Sequence, residues 1–174
     1  ELVGAGAVLS KDINKKIAST STSDISIYEC INFARGAVTP SLNPKAIECL
    51  EKSIKKDPNY ADAWIWLADR KRAQHSSFSM TNEFKYMLEE ASKEIDRGLI
   101  LDPEHAFGYS TKLQIEFYKN NWQEMFNVAE KAYSLAGERP HLLGKIGYSL
   151  AYGGQCEKED IYKSTDELKS VKNN

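Results

Sequence analysis

Ala46-Ile-Glu-Cys-Leu50-Glu-Lys-Ser53-Ile-Lys-Lys-Asp57-Pro58-Asn-Tyr60-Ala61-Asp-Ala63-Trp64 holds a helix, a stop and a restart in one stretch. Ala46, Leu50 and Ser53 recur at helical spacing, which puts small and apolar residues on one face. Lys55 and Lys56 fall in the last turn, where cations suit the negative end of the helix dipole. Pro58 cannot continue the helix, and the residue before it is biased out of the helical region. A second helix restarts at once, with Trp64 and Leu67 expected to face inward. The stretch reads as the end of one helical pair joined to the start of the next. If that unit recurs, the chain is a helical solenoid, and its work is binding rather than chemistry.

Upstream, Val8, Leu9, Ile13 and Ile17 predict a helix within residues 1–20, followed by a polar Ser/Thr linker over 19–24. Asp24 or Ser23 can cap the next helix, over 25–37, whose apolar side is Ile27, Cys30, Ile31, Phe33 and Ala34. Pro44 suits the first turn of the partner helix, which runs to Lys56. Downstream, helix 61–74 carries Ala63, Trp64, Leu67 and Ala68 inward, and a Ser-rich break covers Gln74 to Asn82. A long helix with Phe84, Met87, Leu88, Ala91, Ile95 and Leu99 on one stripe ends at Asp102-Pro103. Helices over 105–118 and 122–136 follow, with Lys119-Asn-Asn121 as the turn between them. Pro140 opens a last helix that Gly153-Gly154 ends. No stretch alternates with period two, so the chain is expected to be all-α.

The pattern repeats. Ala46, Leu50 and Ser53 precede Pro58 by 12, 8 and 5 residues, and Ala91, Ile95 and Gly98 precede Pro103 by the same steps, 45 residues on. Each proline is followed by an alanine (Ala61, Ala106) and, three residues later, by an aromatic (Trp64, Tyr109). This resembles the tetratricopeptide repeat (TPR), a helix–turn–helix unit of 34 residues. The unit starting at Ala61 matches that pattern with Trp64, Leu67, Ala68, Ala91, Ile95, Gly98 and Pro103, once 11 inserted residues around 73–83 are allowed. The unit near Ile27 matches with Ala34, Ala46, Leu50, Ser53 and Pro58, with Cys30 and Phe33 in its large-residue positions. The unit at Ala106 gives Tyr109, Leu113, Met125, Ala129 and Ala132 but has Lys112 where leucine is expected, and the unit at Pro140 is partial. Small residues let neighbouring helices approach, large ones fill the gaps, and proline lets the chain reverse. The expected fold is an all-α, right-handed α-α superhelix of antiparallel helix pairs. The expected division is 1–22 (N-terminal helix and linker, the end of a preceding domain or a cap), 25–155 (repeats at about 27–60, 61–105, 106–139 and a partial 140–155) and 156–174. That last segment, with nine charged residues, is a polar tail or capping helix.

Composition narrows the function classes. The chain has 174 residues with net charge −2, so no global field recruits nucleic acid or an anionic membrane. No apolar run reaches the ~18 residues that span a bilayer. Leu2 to Leu9 is short and lacks a basic flank, a weak signal-peptide core. The chain begins on Glu1 rather than Met, so we expect a fragment of a longer protein. Cys30, Cys49 and Cys156 lack CxxC or ligand spacing and are read as free thiols in a reducing, cytoplasmic setting.

The resemblance implies a binding module for another protein or a peptide, with no catalysis of its own, no cofactor and no metal. The first unit and the phrase Gly98-Leu-Ile-Leu-Asp-Pro103 are similar to repeat regions of bacterial signalling and transcriptional regulators. There, repeats follow an output domain such as a nucleotide cyclase or a winged-helix DNA reader. The alternative is therefore a ligand-sensing domain controlling a linked output. Partner identity stays open, as does an oligomer; nucleic acid and membrane are not expected partners of this segment. By the family register, the concave surface is lined by Ile31 and Arg35; Asp62, Ile65, Asp69 and Arg72; Phe107, Ser110, Gln114 and Phe117; His141 and Tyr148. The lysine and asparagine that clamp chaperone tails in such domains are absent from those positions. His75, His105 and His141 are isolated and read as turn or surface residues; Ser76, Ser77 and Ser79 have no nucleophile context. Trp66 lies off the main stripe and is expected to be half exposed.

Overall fold

Local chemistry sets the helix ends. Asp24 Oδ1 accepts the Ser26 amide at 2.8 Å and starts α1 (Ile25–Gly36). α2 (Asn43–Lys56) has Pro44 in its first turn, where a missing N–H costs nothing. α3 (Ala61–Ala73) follows the first Asp-Pro turn, and Thr81 caps α4 (Asn82–Leu101) by accepting from the Phe84 amide. α5 (Ala106–Tyr118) and α6 (Trp122–Ala136) are joined through Asn120, whose φ of 58° fits the residue type that tolerates the left-handed region best after glycine. Gly137, at φ 54°, ends α6, and Pro140 opens α7 (Pro140–Tyr152). This computed structural model describes residues 21–74 and 81–153. Every element among them is helical, and no described helix is long and apolar enough to cross a membrane. The helix expected within 1–20, most of the Ser-rich break with His75, the tail 156–174 and Cys156 lie outside the described residues.

The two Asp-Pro turns are built alike. The Asp57 amide donates to Ser53 O and the Asp102 amide to Gly98 O, each at 2.9 Å. The carboxylates then accept from Asn59 N at 3.2 Å and Glu104 N at 3.3 Å. The two turns, 45 residues apart, thus share one hydrogen-bond pattern.

Each helix packs on its successor, and α1 touches α3, α3 touches α5 and α5 touches α7; the even helices meet only their sequence neighbours or the odd helices beside them. Three apolar clusters form a chain. The first holds Ile27, Ile31, Leu50 and Leu67, the second Ile65, Ala91, Ile95 and Ile115, and the third Leu113, Met125, Leu142 and Ile146. α3 contributes to the first two clusters and α5 to the last two. Ala46, Ala91 and Ala132 are fully buried, as their small size at helix crossings requires. At Gly98 a Cβ would stand 2.5 Å from Ile65 Cγ1 and 3.3 Å from its backbone N, so this crossing admits no side chain.

Three expectations are corrected. Trp64 does not face the core: it is half-buried and its indole N–H donates to Pro58 O at 2.9 Å, while its neighbour Ile65 is fully buried. Phe33 is exposed, and α1 buries Ile27, Cys30, Ile31 and Ala34 instead. Cys30 and Cys49 are not free thiols but a disulfide joining α1 to α2, with Cα atoms 5.9 Å apart, inside the usual range of about 4.4–6.8 Å. The turn between the two helices folds residues 19 apart in sequence against each other. The cytoplasmic expectation loses the support it drew from this pair.

Candidate functional site

The odd helices bring a set of polar and aromatic side chains together. In the first turn of α3, Asp62 meets three neighbours. Arg35 Nη2, from the end of α1, lies 3.4 Å from Asp62 Oδ2; the Tyr60 hydroxyl donates to that oxygen at 3.3 Å; and His105 Nε2 is 2.7 Å from Oδ1. His105 also caps α5, its Nδ1 accepting from the Gly108 amide at 3.0 Å. That bond leaves the proton on Nε2, which donates to Asp62. Burial pushes the Asp62 carboxyl up, but His105 and Arg35 outweigh it and hold it below the usual carboxylate value. Burial together with Asp62 pushes the Tyr60 phenol up to about 12.

One turn beyond Asp62, Trp66 stacks on Phe107 of α5, with ring centroids 4.4 Å apart and planes 25° from parallel. The Arg35 and Arg70 guanidinium carbons each lie 5.7 Å from the Trp66 centroid, and Lys145 Nζ lies 4.4 Å from that of Phe107. These are cation–π distances. A pocket of about 370 Å³ opens here, lined by Arg35, Trp66, His105, Phe107 and His141.

Beneath it Asp69 is completely buried. It accepts from Arg70, from Arg72 at 2.7 Å and is 3.5 Å from Lys145 Nζ, which comes from α7. Burial would raise the Asp69 carboxyl, yet Arg72, Lys145 and Arg70 hold it well below its ordinary value. Burial in turn lowers the Lys145 ammonium, with Asp69 opposing that shift only in part. Arg70 also donates to Ala37 O at 2.7 Å, tying the C-terminus of α1 to α3.

Of the sequence-predicted residues, Arg35, Asp62, Phe107 and His141 come together around this pocket. Asp69, expected at the surface, is corrected: it is completely buried and pairs with Arg72 in an ion cluster. Phe117 and Tyr148 lie in an aromatic series on α5 and α7, at 6.1 Å from each other, with Trp122 at 5.8 Å and Tyr152 at 4.5 Å from its nearer neighbour. Gln114 is half-buried. Ile31, Ile65 and Ser110 are corrected: all three are buried, the isoleucines in the core clusters and Ser110 donating to Phe107 O. None of the three can meet a ligand from the surface. Trp66, Arg70, His105 and Lys145 were not on the predicted face. A signal for two of them was present: Trp66 follows Asp62, and Lys145 follows His141, by the four residues that set neighbours on one helix face. His105 and His141, read as isolated, both line the pocket. No protein-family model matches the chain, and no curated protein matches it.

Proposed function

We propose that the chain is an α-solenoid of TPR-like repeats whose odd-helix face binds a segment of another protein, as a module of a larger, bacterial regulatory protein. The row of contacts α1–α3–α5–α7 supports this reading, since it leaves one face built from first helices of successive pairs. The observation that carries it is the pocket where Arg35, Trp66, His105, Phe107 and His141, from four elements far apart in sequence, converge. Its mixture of aromatic faces and hydrogen-bonding groups is the composition of protein-recognition hot spots. The volume also falls at the low end of small-ligand pockets, about 300–1,000 Å³, which favours ligand sensing as the second reading.

Display panning separates the two. The chain retains peptides from a degenerate library, and Phe107→Ala with Phe117→Ala reduces retention by about tenfold or more, roughly 1.4 kcal/mol, without loss of helicity. Unchanged retention in that variant contradicts the groove. A thermal shift with small metabolites and no peptide retention favours the second reading.

A further inference from the structure

The charge around the pocket does not match that of the chain. Net charge is −2 overall. Around Asp62 and Asp69, however, four basic side chains (Arg35, Arg70, Arg72, Lys145) meet these two carboxylates. Asp69 is fully buried and already shared by three of those cations, so it has nothing left to offer an incoming cation. Asp62 is held by Arg35, His105 and Tyr60. Both acids are therefore used internally, and the surplus in this cluster is positive. The Arg35 side chain remains 49% exposed, and its contact to Asp62 is long at 3.4 Å, so the guanidinium can engage a second carboxylate without breaking a tight pair.

The floor between these cations is apolar. Trp66 and Phe107 are stacked and each is only part-buried, so the pocket offers ring surface to an apolar or aromatic side chain. Cations stand over both rings, Arg35 over Trp66 and Lys145 over Phe107. A guest ring in the pocket would thus have cationic groups on either side of it. We propose that this pocket takes one aromatic or large apolar side chain of a partner protein, from a segment whose flanking residues are acidic. Nucleic acid is the less suitable occupant, because Asp62 stands behind the lining residues Arg35 and His105 and the chain is net negative. This inference rests on the protein-binding reading above and narrows it.

The test reads the retained peptides themselves. A degenerate peptide library is panned on the full chain at low salt, and the retained pool is sequenced. The expected pool is enriched in Asp and Glu flanking a Phe, Trp, Tyr or Leu. A representative acidic peptide then loses about tenfold in affinity against Arg35→Glu, on a chain whose helicity is unchanged, and loses affinity as salt rises. Arg35→Lys, which keeps the charge, retains most of it. A pool enriched without acidic residues overturns this inference and leaves peptide binding standing, as does acidic-peptide binding that survives Arg35→Glu. A chain that retains no peptide overturns both readings, and retention of single-stranded oligonucleotides in place of peptides overturns the choice of occupant.

Discussion

Replacing Asp69 with Ala is expected to destabilise the chain by about 3–5 kcal/mol, the usual cost of removing one partner from a buried ion cluster. The carboxylate is completely inaccessible and neutralises cations from two helices, Arg70 and Arg72 of α3 and Lys145 of α7. Without it, three basic groups face one another with no carboxylate between them. Asp69→Asn keeps the shape but loses the charge and turns one acceptor oxygen into a donor facing cations, and should cost nearly as much. Urea unfolding monitored by circular dichroism measures both. A loss under about 1 kcal/mol for Asp69→Ala would mean that the cluster does not hold α3 and α7 together. The pH dependence has a definite sign. Because the folded-state carboxyl sits below its ordinary value, its contribution is present above that ordinary value and is lost only as pH falls through the folded one.

Glu94 should act in the opposite sense. It lies on α4, 8% exposed, bonded to Lys71 of α3 by one oxygen while the other, Oε2, has no hydrogen-bond partner among the described residues. Burial pushes its carboxyl up to about 7 from 4.5; Lys71 opposes that shift, and Glu90 of α4 with Glu51 of α2 adds to it. For an acid raised on folding, the unfolded chain loses its proton first, so stability falls as pH rises from about 4.5 to about 7. Glu94→Gln removes that dependence. Between pH 5 and pH 8, the stability of the variant relative to the native chain should rise by about 2–3 kcal/mol, at about 1.4 kcal/mol per pH unit. Denaturant titrations of both chains at the two pH values check this. A relative stability independent of pH would show that Glu94 is solvated in the folded chain.

The helices were legible because their starts and stops are chemical. Asp24, Pro44, Pro58, Pro103, Asn120 and Pro140 each mark a boundary with a side chain or ring that the backbone must obey. The spacing of Ala46, Leu50 and Ser53, repeated by Ala91, Ile95 and Gly98, placed the small residues at crossings where they are indeed buried. Which face of α3 is which was not legible. This helix touches α1, α2, α4 and α5, so it is apolar on most sides and carries little periodic signal. The pattern put Trp64 inward and Trp66 off the stripe; packing shows that both are part-buried, Trp66 meeting Phe107 while Trp64 turns to Pro58 O. Close packing put Ile31, Ile65, Asp69 and Ser110 inside when position counting put them at the surface. The Asp69–Lys145 pair joins residues on helices far apart along the chain, and the Cys30–Cys49 pair depends on how tightly α1 folds back on α2. No local pattern encodes either contact.

The three tryptophans allow the central claim to be read at single sites. Trp66 lies in the pocket, Trp64 beside Pro58 and Trp122 against Phe117. Labelling the chain with 5-fluorotryptophan gives fluorine resonances that Trp→Phe variants assign. When a retained peptide is added, binding in the odd-helix pocket shifts the Trp66 resonance progressively and leaves that of Trp64 in place. A peptide that binds while the Trp66 resonance stays unchanged and that of Trp64 moves would contradict the account.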